Sequence, residues 1–337
     1  MLEIDGSQGE GGGQILRTSL TLAMVTGTGI RIENIRAGRE KPGLMRQHLA
    51  CVNAAQAASN AKVSGAEVGS TEITFRPNAV KAGDYHFAVG TAGSTTLIFQ
   101  TVLPALALAE GVSTLSFEGG THNIWAPSFD FVALAYAPLM RQVMGVEIEM
   151  KMIRHGFYPQ GGGQWQAMIK PSAHLRGLEL LDTGELIDKE AIATSANIPD
   201  HVAVRELEKI AKLCQWPDDV LKVERVESMG SGNIVSMRLF YEACTEVVEC
   251  VGKVGVSEEK VARRAVQAIR RFQAAGVPVG EHLADQLMLP MAIGDGGVFR
   301  TLKPSMHAQT NRDVIHLFTD KRFVFEELAK DRWEIRL

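Results

Sequence analysis

What most constrains this chain is that its first half repeats one pattern of elements. Leu2 to Asp5 reads as a strand, Gly11-Gly12-Gly13 opens a helical run from Gln14 to Val25, and Ile30 to Ile35 reads as a second strand. Leu44 to Ser59 has helical periodicity, with Leu49, Val52, Ala55 and Ala58 on one side. Strands near Ala61 to Val68 and Thr71 to Arg76 complete a β-α-β-α-β-β unit. The order then returns. Tyr85 to Ala88 is a strand, Gly93 to Ala109 helical, Ser113 to Phe117 a strand and Phe129 to Met144 a helix, and Glu147 to His155 and Gln164 to Ile169 are strands. Self-similarity of this kind fixes the architecture before any motif does. Both units also carry a polyglycine turn beside a glutamine, Gly11-Gly12-Gly13-Gln14 and Gly161-Gly162-Gly163-Gln164.

A third unit starts at Leu175 to Leu181, stops, and resumes at Gly280. A helix from Leu283 to Ala292, a strand at Val298 to Lys303, a short helix around Asp313 to Phe318 and strands at Val324 to Leu328 and Trp333 to Leu337 would complete it. Between the halves lie strands at Ala191 to Asn197, Val220 to Val226, Asn233 to Phe240 and Val247 to Val251. Two helices accompany them, His201 to Leu213 after Asp200 and Ser257 to Ala274, with Ser257 as N-cap. The expected fold class is therefore mixed α/β. Residues 1–183 and 277–337 form a large domain of three repeats, and 184–276 form an inserted α+β module of roughly 90 residues.

Composition narrows the function classes. With 337 residues and 45% hydrophobic content there is ample material for a core of this size. The net charge of −4 excludes a global basic footprint for nucleic acid, so any such contact must be local. No pair among Cys51, Cys214, Cys244 and Cys250 has C-x-x-C spacing, which argues for reduced thiols rather than zinc or a redox pair. The opening residues carry acid early and show no signal pattern. The most apolar stretch, Thr96 to Leu108, is broken by Gln100 and Pro104 and is too short to span a bilayer. A soluble, cytoplasmic protein without a membrane partner is expected.

Four segments can carry chemistry. In Gly9-Glu10-Gly11-Gly12-Gly13-Gln14-Ile15-Leu16-Arg17, glycines precede a helix start and let the backbone approach an anion. Arg17 lies a turn further on, and Glu10 is a hard oxygen ligand suited to Mg²⁺ beside a phosphate. A tight strand-to-helix turn with no ligand fits those glycines as well. No Lys-Ser/Thr follows as in a P-loop, and Gln14 breaks the G-x-G-x-x-G fingerprint. The run from Arg36 to His48 concentrates Arg36, Arg39, Lys41, Arg46 and His48 in a loop and the first turn of a helix. Arginine forks grip phosphate, although a solvated charged loop is the commoner use of such a run. His307 stands between a strand and a short helix, flanked by Ser305, Thr310 and Asn311. A neutral imidazole there can attack phosphorus, and a loop histidine of no catalytic role fits too. Asp285 and Gln286, in the first turn of a helix after Gly280, either cap it or read a nucleoside. The lysine motif K-x-D-G of most polynucleotide ligases and the H-x-H run of histidine triads are both absent.

Taken together, several segments resemble the bacterial RNA 3′-terminal phosphate cyclases. They are Glu10 to Arg17, Arg36-Ala37-Gly38-Arg39 with Lys41 to Leu44, Arg46-Gln47-His48, His155 to Pro159 with Gly161-Gly162-Gly163, Leu283 to Gln286, and His307 with Thr310-Asn311. The resemblance covers essentially the whole chain. It implies three β-α-β-α-β-β repeats and an inserted domain of thioredoxin-like topology. It further implies that His307 takes AMP from ATP, passes it to an RNA 3′-phosphate, and that the 2′-hydroxyl then expels AMP to close a 2′,3′-cyclic phosphate. In that scheme Glu10 binds Mg²⁺ or Mn²⁺. Gln100, His282, Leu283, Ala284, Asp285 and Gln286 contact ATP, and Arg17, Arg36, Arg39, Gln47 and His48 hold the phosphates and the RNA end.

One departure stands out: the resemblance leads one to expect a tyrosine where His282 lies, and a smaller ring puts the strength of adenine binding in question. Three other readings compete. A catalytically silent RNA-processing or ribosome-biogenesis relative would be expected to lack His307 and Glu10. An enolpyruvyl-transferase-like enzyme shares the repeat but leaves His307 and the insertion unexplained. RNA 5′-phosphate ends or DNA could be adenylated at the same site. The physiological RNA, the pathway and the oligomeric state are not legible.

Overall fold

The computed structural model describes every residue except Val143. β1 (Leu2–Asp5), α1 (Gly13–Thr26), β2 (Ile30–Glu33), α2 (Arg46–Ser59), β3 (Lys62–Ser64) and β4 (Ile73–Arg76) build a sheet of order β1-β2-β4-β3. Next come β5 (Asp84–Ala88), α3 (Thr95–Leu106), β6 (Ser113–Gly119), a composite helix, β7 (Glu147–Arg154) and β8 (Gly163–Lys170), in a sheet of order β5-β6-β8-β7. The composite helix consists of α4 (Phe129–Phe131), a π-helical segment (Val132–Tyr136) and α5 (Ala137–Gln142).

Then follow β9 (Leu178–Leu180), β10 (Leu186–Ala196), α6 (His201–Cys214), β11 (Leu221–Arg225), β12 (Gly232–Tyr241), β13 (Thr245–Val251) and α7 (Glu258–Ala275). The chain ends with α8 (Glu281–Ile293), β14 (Gly297–Thr301), α9 (Met306–Phe318), β15 (Val324–Ala329) and β16 (Arg332–Arg336). β9 pairs with β14, giving a sheet of order β15-β16-β14-β9.

Read from its first strand, each of these three sheets has one parallel pair followed by two antiparallel pairs. The helix between the parallel strands is the crossover such a pair requires. The fourth sheet, β11-β10-β12-β13, comes wholly from the segment between β9 and α8, and α6 and α7 pack on each other and against it. One apolar core runs through all three similar sheets, from Ile4 through Trp165 to Ile335. A separate cluster, including Ala193, Leu207, Val235 and Ile269, sits under the fourth sheet. Arg238 of β12 bridges the two regions. It donates to Asp130 at 2.8 Å and to Glu190 at 3.0 Å with its side chain almost buried.

α1 explains how the site is assembled. Nine of its residues, among them Leu16, Thr18, Leu20 and Met24, are buried. A helix buried on most of its faces lies at the centre of a structure rather than on its surface, and its buried Thr18 and Thr21 are hydrogen-bonded. α1 packs against α2, α3 and α9, so its N-terminus brings the first and third repeats together.

Several expectations need correction. The helix expected over 129–144 is interrupted by a π-helical turn, and Val143 lies outside the described residues. His307 is not in a loop, because α9 begins at Met306, seven residues before the expected start at Asp313. The cause is Ser305, whose Oγ accepts from Ala308 N at 3.2 Å and caps the helix. Asp285 and Gln286 lie in the second turn of α8, since that helix starts at Glu281. Asp200 and Ser257 occupy N-cap positions, but neither side chain makes a capping bond. Asp200 pairs instead with Arg225 at 2.6 Å. The two glycine turns are not equivalent: one joins β1 to α1, the other β7 to β8. All four cysteines are free, with Cys51 and Cys244 buried and Cys214 and Cys250 half-buried. No helix among the described residues is long and apolar enough to cross a membrane.

Candidate active site

Three helix N-termini meet at the glycine turn. Gly9, at φ +60°, lies against Thr310 of α9, and Glu10 N donates to Thr310 Oγ1 at 3.0 Å. Gly13, the first residue of α1, lies against the ends of Arg17 and His48, the latter from the first turn of α2. The positive ends of α1, α2 and α9 therefore face one region, an electrostatic setting for anions.

Glu10 is the acidic centre of this region. Its Oε1 accepts from Gln14 N at 3.2 Å, and its Oε2 accepts from Arg39 Nη2 at 2.5 Å. The Glu10 side chain is only 11% exposed, whereas that of Arg39 is 47% exposed, so the arginine can swing toward a ligand. Among the described residues no group of three or more His, Cys, Asp or Glu could hold a metal unaided. One nearly buried carboxylate beside guanidinium groups of a kind that can bind phosphate would suit an ion that arrives with a nucleotide and is held partly by its phosphates.

The imidazoles are set in opposite ways. His48 Nδ1 accepts from Met45 N at 3.1 Å, leaving Nε2 directed at Gly13. Burial, reinforced by Arg17, Arg36 and Arg39, lowers the His48 pKa from 6.5 to about 3, so this ring is a neutral N–H donor. His307, in the first turn of α9, stays exposed. Partial burial pulls its pKa below the ordinary value. Arg17, His282 and Arg39 act the same way and Glu10 opposes them. A histidine neutral at pH 7, exposed and beside the Glu10–Arg39 pair is a competent nucleophile.

Beside this lies a cleft lined by Gln14, Arg17, Gln100, Tyr136, Asp285 and Gln286, among others. Gln100 Nε2 donates to Gln286 Oε1 at 2.5 Å, and Gln286 Nε2 to the His282 carbonyl at 2.7 Å. Burial raises the Asp285 pKa from 3.8 to about 7, although Arg17 opposes it. The cleft thus holds amide and carboxyl groups able to read a nucleoside, next to the anion site.

The residues singled out in the sequence are not all equally placed. Glu10, Arg17, Arg39, His48 and His307 converge. Gln47 reaches the second repeat, its Oε1 accepting from Ser94 N at 3.1 Å. Arg36 Nη1 is engaged by the Lys41 and Gly43 carbonyls at 2.7 and 2.9 Å, so this residue shapes the loop that carries Arg39. Leu283 and Ala284 are buried in the core, while the exposed His282 stands on the rim. Two residues not singled out as site groups complete the lattice. Thr18 Oγ1 donates to Asn311 Oδ1, as does Gln14 Nε2 at 2.9 Å. Helical spacing from Gln14 to Thr18 was the available signal for one. Nothing in the sequence marked Tyr136, which the π-helical segment turns toward the cleft.

Comparison with known proteins gives the family of the chain. Residues 8–325 match the family model described as RNA 3′-terminal phosphate cyclase. The chain is 49% identical over 328 residues to a protein of that name from Koribacter versatilis, covering 97% of this chain and 92% of the relative. It is 44% identical over 327 residues to one from Salmonella typhimurium, covering 97% and 96%. It is 43% identical over 337 residues to one from Pseudomonas fluorescens, covering 100% and 97%. Among solved structures, the enolpyruvyl transferase NikO from Streptomyces tendae overlays with a TM-score of 0.37 at 11% identity, covering 99% of this chain and 48% of that one. That likeness is too slight to bear on function.

Proposed function

The chain belongs to the RNA 3′-terminal phosphate cyclase family, and we propose that it closes a 2′,3′-cyclic phosphate on an RNA end, using ATP and a covalent AMP on His307. The observation that carries this reading is His307 itself. It is exposed in the first turn of a helix, held neutral, and within the electrostatic reach of Glu10, Arg17 and Arg39.

In the first step a nitrogen of His307 attacks the α-phosphorus of ATP. A P–N bond forms and the bond to pyrophosphate breaks. Arg17 and Arg39 neutralise charge on the departing oxygens, and the dipole of α1 adds to them. In the second step an oxygen of the RNA 3′-phosphate attacks the same phosphorus and the P–N bond breaks, returning the imidazole. In the third step the neighbouring 2′-hydroxyl oxygen attacks the RNA phosphorus, gives up its proton, and AMP leaves with the bridging oxygen. His48 Nε2–H and Gln47 are suited to hold the RNA phosphate through the last two steps, one as a neutral donor and the other as an amide. Asp285, Gln286 and Gln100 are suited to the adenosine.

Mg²⁺ or Mn²⁺ bound at Glu10 would supply positive charge to the phosphates. Because Arg39 already engages that carboxylate, releasing it on nucleotide arrival would free the arginine for phosphate. The test is incubation with α-labelled ATP, which should leave one acid-labile, alkali-stable AMP per chain on wild type and none on His307→Ala. Adding an oligoribonucleotide with a 3′-phosphate should then give a cyclic end. Full labelling of His307→Ala would remove this histidine from its role.

A further inference from the structure

The motif His155 to Pro159 plays no part in the scheme above, yet it supports a feature unusual on a protein surface. Trp125 is 73% exposed and Tyr158 63% exposed, and their rings meet edge to face with centroids 6.0 Å apart. Each sits at the tip of a short turn, one closed by the Asn123–Ala126 bridge and the other by the Phe157–Gly161 bridge. At the feet of the two turns the His122 and His155 rings stack 5.0 Å apart and Phe157 tilts against His122 at 5.5 Å, with His122 and Phe157 fully buried. Two large rings are thus held out in solvent on a rigid base. Apolar rings held together in solvent are a candidate binding surface.

This surface is continuous with the proposed RNA-end grip. Asn123 Nδ2 donates to the Ala92 carbonyl at 3.1 Å, and Gly161 lies against Ala92. Two residues on, Ser94 N donates to Gln47 Oε1. The aromatic tips and Gln47 therefore flank one loop, residues 91–94. An RNA strand whose 3′-phosphate lies at Gln47 and His48 must leave the site over one of its rims, and this rim presents ring faces. The chain carries a net charge of −4, so upstream nucleotides gain no attraction from a basic surface over the whole protein. Stacking of bases on aromatic rings does not need one and tolerates any sequence.

We propose that Trp125 and Tyr158 form a base-stacking platform for the nucleotides that precede the 3′-phosphate of a single-stranded RNA. The proposal rests on the cyclase reading, and its test separates the two. Wild type, Trp125→Ala, Tyr158→Ala and the corresponding phenylalanine variants are compared in three measurements. These are self-adenylation without RNA, KM for cyclising a 3′-phosphorylated oligoribonucleotide against a nucleoside 3′-monophosphate, and direct binding of the 5′-dye-labelled oligonucleotide by anisotropy. Each alanine should raise KM and Kd for the oligonucleotide about tenfold, equivalent to about 1.4 kcal/mol. Phenylalanine should recover most of this, and the mononucleotide KM and self-adenylation should not move. Equal losses on both substrates, unchanged oligonucleotide binding, or a shift in sedimentation mass showing that the rings join two copies of the chain would overturn the platform. Failure of wild type to self-adenylate would sink the cyclase reading alone, because the binding measurement still decides the platform.

Discussion

Asn311 Oδ1 accepts a 2.9 Å hydrogen bond from Gln14 Nε2, two residues separated by 297 positions of chain. The same oxygen accepts from Thr18 Oγ1 at 2.5 Å, and Asn311 Nδ2 donates to the Asp285 carbonyl at 2.8 Å. One buried amide thus ties α1, α8 and α9 together. Asn311→Ala would leave three partners, the buried Thr18 and the half-buried Gln14 and Asp285, short of a bond, at a cost of about 1–3 kcal/mol. It would also loosen the helix that carries His307. Urea unfolding should show that loss, and self-adenylation measured well below the unfolding midpoint should fall by more than the unfolded fraction explains. Activity tracking stability alone would mean that Asn311 is only structural.

The neutral state of His48 has a consequence for acid stability. Its imidazole takes a proton near pH 6.5 when unfolded but only near about 3 when folded. Between those values the unfolded chain binds more protons, so stability falls as pH falls through that window. Protonation would also remove the acceptor that Met45 N–H uses. His48→Asn keeps an acceptor at a similar position and cannot titrate. Wild type should lose stability more steeply than this variant as pH falls below 6.5, and the two curves should run parallel above it. Denaturant midpoints at half-unit pH steps would show this, and parallel curves throughout would contradict it.

Asp285 works in the opposite sense. Its carboxyl titrates near 3.8 when unfolded and about 7 when folded, so the folded state binds the extra proton. Stability contributed below pH 3.8 is lost as pH rises to about 7. Asp285→Asn should therefore gain on wild type progressively across that window and keep a constant advantage above it. Its KM for ATP should nonetheless rise if the carboxyl holds the nucleoside. A thermal-shift series from pH 4 to pH 8 tests the first statement, and self-adenylation at pH 8 the second. A constant difference at every pH would show that burial does not govern this carboxyl.

Which of these groups the sequence revealed follows a physical pattern. Glu10, Arg17 and Arg39 stood out because glycines before a helix start and clustered arginines are both suited to anions, although each has a commoner structural use, and the repeat of elements announced the sheets. His307 was found as a residue but placed before the helix rather than in it, since the start of α9 is fixed by the Ser305 hydroxyl capping Ala308 N. The Gln14–Thr18–Asn311 lattice joins residues far apart in sequence, and no local pattern encodes such a contact. Tyr136 was hidden for a different reason: the π-helical turn shifts the register by which a helical face is read. Leu283 and Ala284 came from a matched motif and their side chains lie buried in the core, so any contact they make with a nucleotide is through the backbone.

The glycine turn offers a way to separate fold from function with one methyl group. A Cβ on Gly13 would lie 2.6 Å from Arg17 Nη1 and 2.7 Å from His48 Nε2. Both are the far ends of side chains that can move aside, so the backbone of α1 need not shift. Alanine also favours a helix over glycine by up to about 1 kcal/mol in the interior, and by less at the first position. Gly13→Ala should therefore keep the wild-type melting temperature or raise it slightly. Arg17, pushed from its place, could no longer close on the phosphates of the nucleotide, and kcat/KM for self-adenylation should fall at least about tenfold, or about 1.4 kcal/mol. A variant that is both as stable and as active as wild type would show that Arg17 does not grip the nucleotide from the position it holds here.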